Sequence, residues 1–282
     1  MSQDGTPKAK TIDYFQVPRP LWRRVRKLFP RVNQDGKPGR KRADNRAVLN
    51  GIWYVLWTGC QWKAVHRDWF GVCSTTLHDR FQEWQASGVF AAVMREMVKF
   101  YHRQRHIKWK WQSLDAKACP APLGGEATGQ SPVDRAKHGS KIHLLVDRRG
   151  APLAVFVTGA NVHDKWSADD LIISIVVPRP DTKQHLCADA GYDYPDVHDF
   201  VEQERYIAHI KPMRRRGEPV IQDCPVPGET RFPTRRWVVE RTLGWLVRRR
   251  SLRIRWCKKA ANWLAFIQFA CAHILMALAI YG

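Results

Sequence analysis

"HIKWKWQSLDAKA", residues 106–118, is where the chain changes its period. Ile107, Trp109, Trp111 and Ser113 alternate with Lys108, Lys110 and Gln112, so the stretch predicts a strand whose site-bearing end begins at Leu114. Upstream of it, apolar residues recur at helical spacing. The fold therefore divides near residue 105, with a helical region at 1–105 and a sheet-bearing region at 106–282.

Downstream, "KIHLLVDR" (141–148) and "PLAVFVTG" (152–159) are joined across "RGA" and read as a hairpin. "DKWSADDLIISIVV" (164–177) predicts a helix opened by Asp164 and closed by Pro178. "HLCADAGYD" (185–193) predicts a short strand broken at Gly191, and a helix over 194–205 and a strand over 206–212 follow. After a Pro/Arg-rich loop, a long helix begins near Thr234. This order predicts an α/β fold with a mixed five-stranded sheet and helices on its faces.

Upstream, a helix is expected over residues 19–30, ended by Pro30, and a strong one over 44–59, stopped by Gly59. A short helix in 61–70, the turn "GVC" and a helix opening on a Ser/Thr cap at 74–84 follow, an order that resembles a helix-turn-helix. Thr75, Thr76, His78, Asp79 and Arg80 would then begin a recognition helix. Plain three-helix packing is the competing reading.

Charge is unevenly placed. The net charge is +21 overall, divided as +14 in residues 1–110, −4 in 111–205 and +11 in 206–282. Basic flanks around an acidic middle suit a polyanion held at the edges and presented to carboxylates, with a cation needed at the centre. The seven cysteines show neither C-x-x-C nor zinc-finger spacing, which predicts free thiols in a reducing compartment. The N-terminal "MSQDGTPKAK" has no apolar stretch, so a cytoplasmic protein is expected. The apolar run at 261–280 contains Asn262, Gln268 and His273 and reads as a buried core helix rather than a membrane anchor.

Three acids fall where such a sheet places function: Asp115 in "SLDAKA", Asp189 where "HLCAD" breaks, and Glu240, the single carboxylate among eight arginines in "RRWVVERTLGWLVRRRSLRIRW" (235–256). Two Mg²⁺ ions held by such a set can activate an oxygen nucleophile and support the leaving alkoxide in phosphodiester chemistry. Each acid alone has an ordinary explanation: a turn or cap residue for the aspartates, an ion pair with Arg236 for Glu240. Lys117, two residues after Asp115, is either a phosphate contact or a surface lysine, and Arg214, Arg215 and Arg216 form either a backbone-binding loop or a solvated turn.

"GRKRADNRAVLNGIWYVLWTGCQWKAV", "SLDAKA", "KHGSKIHLLVDRRGAPLAVFVTGANVHD", "ADAGYD" and "RRWVVERTLGWLVRRRSLR" together resemble bacterial insertion-sequence transposases of the DDE type, in the insertion sequence five group. The resemblance runs in order from about residue 39 to the C-terminus. It implies a ribonuclease H-like catalytic domain behind an N-terminal DNA-binding region. It implies that Asp115, Asp189 and Glu240 are the catalytic and metal-holding triad, with Mg²⁺ as the ion and Mn²⁺ as a substitute. Related families carry a Tyr-Arg-Glu-Lys signature. Arg236 and Glu240 keep its Arg-x-x-x-Glu spacing, but Pro233 and Val247 stand at the Tyr and Lys positions.

The resulting expectation is an enzyme that binds the terminal inverted repeats of its own element, with cleavage and strand transfer at the triad. Its partners would be double-stranded DNA, both element ends and target, and a second copy of the chain. Arg236, Arg241, Arg248, Lys117, Thr75, Thr76, Arg80, Arg214 and Arg215 are the expected DNA contacts. A catalytically silent DNA-binding regulator and a nuclease on the same fold are the alternatives.

Overall fold

The computed structural model describes residues 15–32, 41–132, 134–213 and 235–282. Helices α1 (Arg19–Val25), α2 (Asn45–Thr58), α3 (Arg67–Phe70), α4 (Ser74–Ala86) and α5 (Val89–Arg105) precede the sheet. Local chemistry sets their limits. The Asp44 carboxylate accepts the Ala47 amide at 2.9 Å to cap α2, and Gly59 at φ 67° ends it in the left-handed conformation.

The region 61–70 is two short pieces, a 3₁₀ turn at Trp62–Ala64 and α3, rather than one helix. The N-cap of α4 is Cys73, and no side chain caps it, in place of the expected Ser/Thr cap. Helix α5 lies in a stretch that carried no prediction; Val89, Val93, Met97 and Tyr101 form its buried stripe.

The sheet has six strands: β1 (Trp111–Pro120), β2 (Gly129–Gln130), β3 (His138–Asp147), β4 (Pro152–Gly159), β5 (Gln184–Ala188) and β6 (Tyr206–Ile210). The sixth, beyond the expected five, is the two-residue β2 at the end of β3. The strand order β4-β3-β1-β5-β6 has β3 antiparallel to β1 and β4, and β5 parallel to β1 and β6. That is the ribonuclease H-like arrangement.

β1 begins at Trp111, five residues later than the alternation suggested. Asp147 captures the Lys108 amide at 3.1 Å, the Trp109 amide turns back to the Ile107 carbonyl, and His106 has φ 50°. Asp115 consequently lies mid-strand rather than near its end. The stretch 164–177 is a 3₁₀ turn at Asp164–Ser167 followed by α6 (Ala168–Ile173), and its cap is His163, not Asp164. Helix α7 (Pro195–Gln203) sits between β5 and β6.

The Arg-rich stretch forms two helices, α8 (Trp237–Val247) and α9 (Arg250–Arg253), not one. Arg249 breaks it: its backbone is extended, and its buried guanidinium turns inward to the Trp245 carbonyl and to His273. Helix α10 (Ala260–Tyr281) is long and apolar enough to cross a membrane, yet 67% of its apolar window is buried inside the structure. It packs along α5 and against β4, with Trp263 and Phe269 fully buried. Each such side chain stabilises the fold by about 1.5–3 kcal/mol.

One core joins α1, α2, α4, α5, α8 and α10 to β3 and β4 and runs without a break across residue 105. The opposite sheet face forms a second core, with Leu114, Leu145, Leu171, Leu186, Tyr192 and Val197 under α6 and α7. Six cysteines are described, and all are free thiols.

Candidate active site

The parallel pairing of β1 and β5 places the first two acids. Trp111, Gln112 and Ser113 pair with His185, Leu186 and Cys187, and then the two strands part. Continuing that register two residues sets Asp115 beside Asp189. Asp189 is the first residue past β5; its carboxylate accepts the Ala190 amide at 2.8 Å and so caps the 3₁₀ turn Ala190–Tyr192. The spacing of 74 residues between the two acids is the strand register itself, and it brings two carboxylates to the place where a pair of parallel strands opens.

Helix α8 supplies the third acid. It lies across β1 and β3, tied to the sheet by the Ser113 hydroxyl, which donates to the Arg235 carbonyl at 3.0 Å. Val239, Leu243 and Leu246 are its buried stripe, and Glu240 stands at the edge of that stripe with about half of its side chain exposed. Ser113 and Asp115 are two apart on β1, so both face α8.

Arg236 sits among these acids as the N-cap of α8. Its Nη1 lies 2.5 Å from Asp189 Oδ1 and its Nη2 lies 3.0 Å from Glu240 Oε1. The ion pair expected as the ordinary explanation of Glu240 is therefore present. A lone surface pair would hold one carboxylate, whereas this guanidinium is shared by two from different parts of the chain. The third acid responds to the same cluster. Burial raises the Asp115 carboxyl to about 6; the Ala116 amide and Arg236 pull it down, and Asp189 and Glu240 push it up.

A metal ion fits the chemistry of this donor set: hard oxygen ligands without thiol or imidazole, one of them a carboxyl raised first by burial and further by its two acidic neighbours. Among the described residues, however, no group of three His, Cys, Asp or Glu side chains is gathered closely enough to hold a metal as it stands. The Arg236 guanidinium is the cation between two of them.

Asp164 adds a fourth acid near the site, its Oδ2 facing Gly191, and Lys141 neutralises it at 2.8 Å. The pairing was not predicted. Lys141 begins the first strand of the hairpin motif and Asp164 follows its second, and that placement is the signal that could have pointed to them.

The expected DNA contacts separate into groups. Lys117 and Arg248 are exposed, as is Thr75 on the first turn of α4. Thr76 is half-buried, its hydroxyl 3.1 Å from the Cys73 sulfur. Arg241 donates to the Arg149 carbonyl at 2.7 Å and lies over the Trp237 and Trp245 rings at 4.9 and 4.7 Å. Arg80 is turned inward, 5% exposed. Arg214 and Arg215, with Pro233, lie outside the described residues.

Comparison with known proteins decides the family. The model described as "Transposase DDE domain" matches residues 111–275, more than half of the chain. The chain belongs to the DDE transposases. The N-terminal part of this transposase, residues 17–94, matches "Putative transposase of IS4/5 family (DUF4096)". A curated relative from Burkholderia cepacia, "Putative transposase for insertion sequence element IS402", is 38% identical over 159 residues, covering 54% of this chain and 69% of the relative. A second product of that element, an uncharacterized 16.2 kDa protein, is 28% identical over 114 residues, 40% of this chain and 78% of its own length. Among solved structures, a Mos1 transposase paired-end complex with left transposon end is 12% identical over 73% of this transposase and 68% of that chain, with a TM-score of 0.26. At that score the likeness carries no argument, and the fold rests on the strand order above.

Proposed function

We propose that this DDE transposase binds the terminal inverted repeats of its own insertion element and catalyses strand cleavage and strand transfer at Asp115, Asp189 and Glu240. The observation that carries the reading is the Arg236 guanidinium paired with Asp189 just past β5 and with Glu240 on α8, beside an Asp115 on β1 whose carboxyl responds to all three. Family membership supports a DNA-cleaving and transesterifying enzyme.

In this reading the three carboxylates hold Mg²⁺, with Mn²⁺ as a substitute, and the bound ion would supply Lewis acidity at the transferring phosphoryl group and an activated oxygen nucleophile. The chain's own residues position the reactants. Asp189 is fixed by the Ala190 amide and Asp115 by the Ala116 amide, so neither carboxylate swings freely. Arg236, paired to both flanking acids, would meet a DNA phosphate entering the site. Lys117 extends the same strand face outward, and Arg248, at the far end of α8, would reach the backbone beyond it.

The division of labour follows the charge: a DNA-binding helical part, residues 1–105, and a catalytic part, residues 106–282. Two element ends must be held together for transposition, so a homodimer on DNA is part of the proposal, and the working compartment is that of the DNA, the cytoplasm.

The test uses a duplex bearing the inverted repeats that flank the gene. Wild-type protein nicks and joins it with Mg²⁺ or Mn²⁺, and Asp189→Ala shifts it without cleaving. Binding with no nicking by wild type would make the protein a DNA-binding regulator, and hydrolysis without joining would make it a nuclease. A monomer on paired-end DNA by light scattering would remove the dimer.

A further inference from the structure

Arg80 is buried without being satisfied. Its Nη2 donates to the Asn45 side-chain oxygen, and its guanidinium lies 4.9 Å from the Trp84 ring, but Nη1 has no hydrogen-bond partner and Nε has only Glu83, at 3.6 Å. Arg255 shows what a structural guanidinium looks like in this same protein. It is fully buried, and Nε, Nη1 and Nη2 all donate, to the carbonyls of Cys257, Ala127 and Lys258 and to the Ser140 hydroxyl. A buried N–H left unpaired costs about 1–3 kcal/mol, so the idle face of Arg80 calls for a ligand.

Arg80 also lines a cleft of about 390 Å³, together with Lys41, Arg42, Arg67, Cys73 and Thr76. Four of these are cations. Glu83, which pairs with Arg42 and lies near Arg80, offsets one. Cys73 and Thr76 belong to the start of α4, a helix of 13 residues whose N-terminus has no side-chain cap. The positive end of that helix thus opens into a cleft already rich in cations. The buried guanidinium nitrogen and the uncapped helix end are independent observations, and both ask for an anion.

We infer that this cleft is an oxyanion site that takes one phosphate of the DNA backbone, clamped between Arg80 from below and Arg67 and Lys41 at the rim. The inference rests on the DNA-binding reading above and deepens it. Arg80 is then a sequence-independent anchor, not a base-reading residue, and it sets the register of α4 on the duplex while exposed Thr75 is left to face the groove. Planar two-point donation suits phosphate, so Lys at position 80 keeps the charge but loses the fork.

The experiment measures the affinity of full-length protein for its element-end duplex and for a scrambled duplex across a salt series. Arg67→Gln and Lys41→Gln are exposed substitutions that leave the packing alone. Each is expected to weaken both duplexes alike, by roughly three- to tenfold, and to reduce the slope of log affinity against log salt by about one. Arg80→Lys, checked for an unchanged melting profile, is expected to do the same. A single methylphosphonate at the contacted phosphate reproduces the loss on wild type and adds nothing to Arg67→Gln. Loss on the element-end duplex alone, or an unchanged salt slope, overturns the inference. A titration with inorganic phosphate, read on the Arg80 Nε–H resonance, separates the sources. A shift that saturates while all variants bind DNA normally means a free-anion site, and the DNA-phosphate inference fails. Wild type that does not bind element-end DNA at all would sink the proposed function instead, so the two failures are distinct.

Discussion

Arg236 and Arg80 are two guanidinia in opposite surroundings. Arg236 stands among Asp115, Asp189 and Glu240, where negative charge is in excess. Arg80 stands in a cleft with Lys41, Arg42 and Arg67, where positive charge is in excess and Glu83 offsets only part of it. One region lacks cations and the other lacks an anion. A protein optimised for stability alone would pair such charges internally, so each imbalance fits the partner proposed for it, a divalent cation at the acids and a phosphate at the cleft.

The contrast is sharpest under substitutions that separate the two regions. Asp115→Asn removes a carboxylate from the acid cluster and nothing from the cleft. Cleavage of element-end DNA is expected to fall by about a thousandfold or more, the scale for loss of a group that acts in the transition state, while affinity for the same DNA holds. A gel assay scoring both on one preparation checks it. Equal loss of binding and cleavage would mean that the acid cluster supports the fold rather than the chemistry.

Gly150→Ala probes how firmly α8 is seated. Gly150 has φ 84°, and a Cβ there would stand 2.6 Å from the Thr242 hydroxyl and 3.0 Å from the Arg241 Nη2. Thr242 also donates to the Gly150 carbonyl at 2.9 Å, so the turn between β3 and β4 is a docking point for the helix that carries Glu240. Left-handed strain and overpacking together predict a loss of about 2–4 kcal/mol. Urea melts would show the loss, and cleavage should suffer more than DNA affinity. Unchanged stability would mean that α8 does not depend on this contact.

A third guanidinium, Arg249, is buried and is held by two neutral acceptors without any acid. Arg249 donates to the Trp245 carbonyl and to His273 Nδ1 at 2.7 Å, an arrangement that needs a neutral imidazole. Burial, then the Arg249 charge, lowers His273 to about 3. The folded pKa is thus below the unfolded one, so the unfolded chain takes up a proton first as pH falls. The stabilising contribution is complete above about pH 6.5 and is lost progressively toward pH 3. In His273→Asn, whose amide oxygen still accepts from Arg249, this titration is gone. Between about pH 6 and pH 4 the variant's stability should fall less steeply than that of wild type, by about 1.4 kcal/mol per pH unit. Parallel urea-melt series would refute this.

These regions were not equally open to sequence reasoning. Asp115 and Asp189 stood out in the sequence by their places in predicted strands, Glu240 as the lone acid on a basic helix, and the resemblance named the three together; the parallel register that sets the two aspartates side by side is tertiary and was not legible. Nor was the length of the basic helix, since eight arginines hide which one turns inward, and Arg249 does. The early start given to β1 came from Trp/Lys alternation at 107–111, which Asp147 overrides from 39 residues away by taking the Lys108 amide. Helix α5 went unread although Val89, Val93, Met97 and Tyr101 repeat every four residues after a Gly. Arg80 was read as facing a groove, yet it follows Leu77 by three and precedes Trp84 by four, so the wheel already set it at the buried edge of α4. Its unpaired nitrogens belong to tertiary packing, and no local pattern carries them.

The smallest effect tests how strongly Arg236 governs the acid cluster. Burial is the main reason that Asp115 is raised to about 6, and Arg236 is one of the two influences that hold it lower. Arg236→Gln removes a positive charge and leaves Asp189 and Glu240 in place, so the Asp115 carboxyl should titrate at a higher pH than in wild type. Carbon-13 titration of that side chain, in DNA-free protein without added divalent cation, reads the change directly. A lower or unmoved titration point would show that Arg236 and Asp115 are electrostatically independent, and the three acids would then not act as one cluster. An upward shift gives the reverse: a carboxyl on β1 answers to a charge at the head of α8, so strand and helix share a single electrostatic site.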